Sequence, residues 1–270
     1  MDNKPASCRN TTDGIVIIGT GNVAFHIVRG LYNAGWNIVQ VYGRNPDKAQ
    51  KLAEITKSVP ISSLNDIITD AGFYIISVSD SAIEEVASNM PKVKGMVVHT
   101  AGSVPMDLLS KYHPRHGVFY PLQSFSRDKE VDWSKVPLFL ESCPEPEDRG
   151  LLSLAESLSG NTGFVSSEIR KSIHLAAVFA GNFVNYCYTA GHDILKNCNI
   201  DPSCLHPLMR EVLDKAIAVK NPALVQTGPA LRKDIKTINS HLDILKNNTI
   251  LHEVYEVISR AIMERNNHNT

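Results

Sequence analysis

The 270-residue sequence predicts an α/β fold: a doubly wound, mostly parallel sheet followed by an all-helical C-terminal domain. Three observations carry this expectation. Short β-branched runs alternate with amphipathic segments through the first half. A G-x-G-x-x-A loop joins the first such run to the first helical stretch. From about Ser167 onward the pattern is helical, with no convincing strand. The expected division is residues 1–165 for the nucleotide-binding domain and 166–270 for a helical substrate and dimerisation domain.

In chain order, strands are expected at residues 15–18, 38–42, 73–78 and 96–99, each followed by a helix. Several are nearly all apolar, as strands are when helices cover both faces of a parallel sheet. Weaker strand signals fall at 118–120, 137–141 and 163–165. In the second half, "NIDPSCLHP", "KNPALVQTGPA" and "KNNTI" supply the Asp, Asn, Pro and Gly that end helices. The longest apolar stretch, "IHLAAVFAGNFVNYCY", is interrupted by His174, Asn182 and Asn185, which predicts a buried helix rather than a membrane span. The polar lead "MDNKPASCRNTT" has no apolar signal core and is expected to be disordered, and "ERNNHNT" is expected to fray.

The formal net charge is −1, with 20% charged and 43% hydrophobic residues. That supports one large or two modest cores and leaves no electrostatic footprint for nucleic acid or an anionic membrane. Five cysteines (Cys8, Cys143, Cys187, Cys198, Cys204) form no C-x-x-C pair. Cys187 and Cys198 are expected in helices as small hydrophobes. This usage suits a reducing compartment, so a soluble cytoplasmic protein without a metal site is expected.

Gly19-Thr20-Gly21-Asn22-Val23-Ala24 follows an apolar strand and opens a helix over residues 22–33. Gly19 permits the tight turn, Gly21 lets backbone approach a pyrophosphate, and Ala24 permits close strand–helix packing. The helix start supplies free N–H groups and positive dipole character for phosphates. The same loop also suits a flavin or S-adenosylmethionine site, or a fold that binds nothing. The second strand ends Gly43-Arg44-Asn45, without the carboxylate that an NAD site uses on the ribose hydroxyls. Arg44 can offer a planar fork of donors to a 2′-phosphate, with Asn45 as a neutral donor and Lys48 nearby. The pattern points to NADP; a solvated arginine in a turn is the plainer alternative.

Ligands in such sheets bind beyond the carboxyl ends of the strands. Ser77, Val78 and Ser79 in "SVSDSAIEEV", and Thr100, Ala101 and Gly102 in "HTAGSVP", are therefore expected beside the cofactor, with Asp80 or Ser81 as the cap of the following helix. His99 and Tyr120 read equally as core residues or as site residues. Beyond Lys171, the positions His174, Val178, Asn182 and Asn185 follow 3–4 spacing on one helical face. Lys171 and His174 suit proton transfer, and Asn182 suits holding a carbonyl or carboxylate; a satisfied polar ladder between helices explains the stripe as well. "QTGPALRKD" reads as a loop near the cleft or as a well-capped helix start.

Together the phosphate loop, "HTAGSVP", "YPLQSF", "RKSIHLAAVFAGNF" and "TGPALRKD" resemble bacterial Rossmann-like proteins with a helical C-terminal domain of unknown function, described as NADP oxidoreductases. The resemblance runs from about residue 13 to residue 262. More distantly the layout is similar to pyrroline-5-carboxylate reductase and to deazaflavin-linked NADP reductases. It implies a cofactor at Gly19–Ala24 and a dimer built through the helical domain. Many members carry a histidine before the Pro-Leu-Gln motif where this chain has Tyr120. The Lys-x-x-x-Asn motif of β-hydroxyacid dehydrogenases is also incomplete, Lys171 and Asn182 being spaced differently. The expected activity is NADP(H)-dependent hydride transfer to or from a small carbonyl, imine or hydroxy compound; a non-catalytic NADP sensor or scaffold is the alternative.

Overall fold

The computed structural model describes residues 14–267. Eight strands form one sheet: β1 (Ile15–Ile18), β2 (Ile38–Tyr42), β3 (Val59–Ile61), β4 (Phe73–Ile76), β5 (Met96–His99), β6 (His116–Pro121), β7 (Leu138–Cys143) and β8 (Thr162–Phe164). Their order is β3-β2-β1-β4-β5-β6-β7-β8. Every pairing is parallel except β6 with β7. The order reverses between β1 and β4, where such sheets open a crevice for ligands. β3 goes beyond the expected strands. Three residues with Pro60 in the middle give little signal, and an edge position tolerates the missing N–H.

Helices α1 (Asn22–Asn33), α2 (Pro46–Thr56), α3 (Ile83–Asn89) and α4 (Arg149–Glu156) connect the strands. Alternate residues of β1 serve opposite cores. Ile15 and Ile17 pack with Ile27, Leu31 and Leu154, whereas Val16 and Ile18 pack with Ile76, Ile83 and Val97. With both faces covered, the strand can be apolar throughout.

After β8 the chain is helical: α5 (Ser167–Ala177), a π-helical stretch at Val178–Phe183, α6 (Val184–Asn197), α7 (His206–Ala218), α8 (Ile235–Leu245) and α9 (Thr249–Asn267). The breaks at Pro202, Pro222 and the Asn247-Asn248 turn fall where the sequence placed them. Strands end at Phe164, but compactness divides the chain later, into a unit ending at Gly181 and a unit from Asn182 onward. α5 therefore belongs to the nucleotide-domain unit. In the second unit, α6, α8 and α9 surround a mostly apolar cavity of about 370 Å³.

Three expectations need correction. The helix read as buried is open: Leu175 is 59% exposed and Phe179 61%. Cys187 and Cys198, expected as small core groups, are exposed as well. The tail expected to fray is helical through Asn267. Residues 1–13, with Cys8 and the polar lead, lie outside the described residues, as do 268–270. Among the described residues, no helix is long and apolar enough to cross a membrane, and no cluster of His, Cys, Asp and Glu could hold a metal ion.

Candidate active site

The phosphate loop is built by close backbone approach. Gly19 has φ +128°, and a Cβ there would lie 2.0 Å from the Ser77 carbonyl oxygen, so the backbones beyond β1 and β4 can approach this closely only if residue 19 is glycine. α1 then opens at Asn22 with Gly21 as its cap and no side-chain cap bond. Its first N–H groups are left for an anion. A Cβ on Gly21 would meet no atom within 4 Å, so the space above the loop is open.

A strap from the end of β6 is pinned over this loop. Asn22 Nδ2 donates to the Phe125 carbonyl at 3.1 Å, and the His26 ring Nε2 lies 2.8 Å from the Ser126 carbonyl. Arg127 donates to the Thr20 carbonyl at 2.6 Å and lies over the Phe25 ring. No local pattern in the sequence announced these bonds, which span about a hundred residues.

One cleft of about 730 Å³ is lined by Gly19, Thr20, Gly21, Asn22, Val23, Arg44, Asn45, Lys48, Ser77, Val78, Ser79, Thr100 and Ala101, whereas Ala24 and Gly102, also expected at the cofactor, are not in its lining. Arg44 and Lys48 are exposed at the β2 end of it. Asn45 has a structural duty besides, since its Oδ1 accepts from Lys48 N at 3.0 Å and caps α2. Towards β5, Thr100 Oγ1 donates to Ser77 Oγ at 3.3 Å, and Ser103 Oγ donates to the Asp80 carboxylate.

The expected catalytic residues differ in exposure and in their partners. His174, half-buried on α5, meets the turn after β5: a Cβ on Gly102 would lie 2.4 Å from its Nδ1. That same Nδ1 is 3.0 Å from the Tyr120 hydroxyl. Tyr120 is buried, and desolvation raises its phenol pKa above the usual 10; Arg170 pulls the other way less strongly, and Asp80 adds the smallest push upward. Lys171 is exposed, and its charge helps to hold the Glu168 carboxyl below its usual pKa, behind the stronger hydrogen bonds from the Glu168 backbone N–H and from Ser166. Asn182 is exposed on the π-helical stretch at the start of the second unit.

Beneath the turn, His99 is fully buried. Its Nδ1 accepts from Ala101 N at 3.2 Å, and its Nε2 has no hydrogen bond at ordinary length. Burial, and then the nearby Arg170 guanidinium, hold its pKa down at about 3, against a weak opposing pull from the Pro105 carbonyl. The ring is neutral in the folded chain at ordinary pH and keeps its acceptor for Ala101. Arg170 went unnoticed in the sequence. It has no exposed surface and pairs with Glu141 at 2.6 Å. A glutamate inside the apolar strand "LFLES" was the available sign that a buried cation had to exist.

"TGPALRKD" lies wholly in the second unit, where Asp234 caps α8 through Thr237 N at 3.1 Å and Thr237 Oγ1 at 2.7 Å. Those bonds lower the Asp234 pKa. The cap is real, but the helix starts at Ile235, beyond Pro229 and Arg232, which lie in the turn before it.

Residues 14–101 match the family model described as "NADP oxidoreductase coenzyme F420-dependent", and residues 136–262 match "Domain of unknown function (DUF2520)". A Bacteroides fragilis protein of solved structure, provisionally described as an NADP oxidoreductase, is 36% identical with a TM-score of 0.85; the match covers 94% of this chain and 100% of that one. A pyrroline-5-carboxylate reductase of Mycobacterium leprae (strain TN) is 30% identical over 92 residues, 33% of this chain and 31% of the relative, so the chain matches about a third of that enzyme's length. The reductive aminase of Aspergillus terreus, solved with NADPH and ethyl levulinate, is 13% identical with a TM-score of 0.73 over 94% of this chain and 95% of that one, a likeness of fold alone. On the full-length match at 36% identity, the chain belongs to the NADP oxidoreductases that join a nucleotide domain of the coenzyme F420-dependent type to a DUF2520 domain.

Proposed function

We propose that the protein transfers hydride between NADP(H) and a small carbonyl, imine or hydroxy compound. The carrying observation is the Tyr120–His174 pair, set against Gly102 two residues beyond the cleft-lining Thr100. Bound NADPH would supply the hydride. The N–H groups opening α1 take its pyrophosphate, and Arg44 and Lys48 take its 2′-phosphate.

His174 is the proton donor. Its Nδ1 is engaged by the buried Tyr120 hydroxyl, which leaves Nε2 as the nitrogen that can face a substrate. In the charged imidazole, Nδ1–H donates to the phenol oxygen while Nε2–H gives its proton to the product oxygen or nitrogen. The raised phenol pKa keeps Tyr120 neutral in this role. Lys171, being exposed, serves the charge balance of α5; Asn182 is reserved for orienting a substrate group.

The chain acts as a homodimer through its helical part. The support is exposed apolar side chains: Leu175 and Phe179 in the first unit, and Phe183, Leu208, Leu213 and Ile217 in the second. Its free thiols suit the cytoplasm.

The test is titration with NADPH and NADH, followed by a screen of carbonyls and imines for loss of nicotinamide absorbance. Tight NADPH binding with turnover of at least one compound class is expected. Tight binding without turnover of any carbonyl or imine would leave the sensor reading in its place.

A further inference from the structure

All five N–H donors of Arg170 are engaged. Nε donates to Glu141 Oε1 at 2.6 Å. Nη1 donates to the Ala101 and Gly102 carbonyls, each at 2.8 Å. Nη2 donates to the Val104 carbonyl at 2.7 Å and to Ser167 Oγ at 3.1 Å. Ser167 Oγ in turn donates to Glu141 Oε2 at 2.7 Å and accepts from Met106 N at 3.2 Å. One buried guanidinium thus gathers three carbonyls of the turn after β5, a carboxylate on β7 and the first residue of α5.

We infer that Arg170 is a positioning residue for proton transfer, an inference that rests on the oxidoreductase reading above. Residues 170 and 174 lie one helical turn apart on the same face of α5. The fork fixes the turn at Ala101 and Gly102, and Gly102 is the surface against which the His174 ring rests. The guanidinium therefore sets two things together: the cleft wall at Thr100–Ala101, and the place of the imidazole relative to Tyr120 and that wall. A lysine keeps the charge, but its compact ammonium cannot hold three carbonyls and a carboxylate in one plane. A misplacement of about 1 Å at a reacting group costs on the order of 10²-fold in rate. A core that only had to be stable would do as well with apolar side chains here, since a buried ion pair adds little net stability over them.

The experiment is a double-mutant cycle on the substrate found by the screen, using Arg170→Lys, His174→Gln and the double variant. Arg170→Lys is expected to lower kcat about 10²-fold, with KM and the NADPH dissociation constant changed by less than about threefold. The double variant should be no slower than the slower single variant, within about threefold, because both changes remove one act of proton transfer. Multiplying effects, or an unchanged kcat in Arg170→Lys, would overturn the inference. Should Arg170→Lys fail to fold, Glu141→Gln takes its place in the cycle. It leaves the fork on the carbonyls but loosens it, so a loss of about tenfold, again non-additive with His174→Gln, is expected. If the unmodified protein turns over nothing, the oxidoreductase reading fails on its own. The ¹⁵N resonance of His174 Nδ1 then decides: Arg170→Lys should move it, and an unmoved signal would overturn the positioning role.

Discussion

The hydroxyl of Tyr120 lies 3.0 Å from His174 Nδ1, and the two rings meet edge to face with centroids 6.0 Å apart. The residues are 54 positions apart and come from β6 and α5. A proton donor held this way should matter to chemistry and not to cofactor binding. His174→Gln is expected to cut turnover by about 10²–10⁴-fold, with NADPH affinity nearly unchanged. Tyr120→Phe keeps the packing but frees Nδ1, and should cost about tenfold. Steady-state kinetics beside nucleotide titration measure both; equal losses in binding and turnover would assign the pair to structure.

Gly102 offers a steric version of the same question. A Cβ there would fall 2.4 Å from Nδ1 and 2.6 Å from Cγ of the imidazole. Gly102→Ala must therefore move the ring while leaving the Arg170–Glu141 pair intact. Turnover should fall about as far as in His174→Gln, with the melting temperature lowered by only a few degrees, the shift that about 1 kcal/mol produces in a chain of this size. A fully active Gly102→Ala would show that the ring position is irrelevant.

Cofactor choice should reside at Arg44. NADP(H) is expected to bind at least about tenfold more tightly than NAD(H), roughly 1.4 kcal/mol, through charge-assisted bonds to the 2′-phosphate. Arg44→Ala should erase most of that preference and leave NADH binding alone, as read by calorimetric titration. Equal affinities in the unmodified chain would end the assignment.

Assembly follows from exposed apolar surface. Light scattering at micromolar concentration should give the mass of two chains, twice 29.7 kDa. Because Leu175 and Phe179 are the open faces nearest the candidate site in sequence, Phe179→Glu should shift the mass toward one chain without unfolding it. A monomeric mass for the unmodified protein would contradict the dimer.

Acid should weaken the fold through His99. Its pKa falls from 6.5 to about 3 on folding, so between those values the unfolded chain binds a proton that the folded chain refuses. The stabilisation is complete above 6.5 and declines as pH falls toward 3, by at most about 1.4 kcal/mol per unit. His113, lowered chiefly by burial, acts in the same direction. Urea unfolding between about pH 7 and about pH 5, above the range where carboxylates titrate, reads the summed histidine effect. His99→Gln should flatten the slope there; an unchanged slope would clear His99 of responsibility.

What the sequence made legible was local. A phosphate loop, its strand and its helix occupy a few consecutive residues, so the spacing of Gly19, Gly21 and Ala24 and the ending at Arg44 read directly. The carboxyl-edge rule then brought Val78, Ser79, Thr100 and Ala101 to the same cleft. Pairs made at long range left almost no trace: Arg170 with Glu141, Tyr120 with His174, and Arg127 with Thr20 depend on how the sheet is wound. Lys171 attracted attention as a titratable neighbour of His174, yet the inward position on that turn of α5 belongs to Arg170. Apolar spacing in "HLAAVFAGNF" was read as a buried helix, yet Leu175 and Phe179 are exposed, because apolar spacing alone does not say what packs against it.

The strap beside the phosphate loop gives the protein an optical property of its own. Of two tryptophans, Trp36 packs on Phe73, whereas Trp133 lies 5.8 Å, centroid to centroid, from Phe125, a ring that lines the cleft. Reduced nicotinamide absorbs where indole emits. Emission from Trp133 should therefore dim when NADPH enters and recover when it leaves, so that occupancy can be followed in unlabelled protein, one turnover at a time.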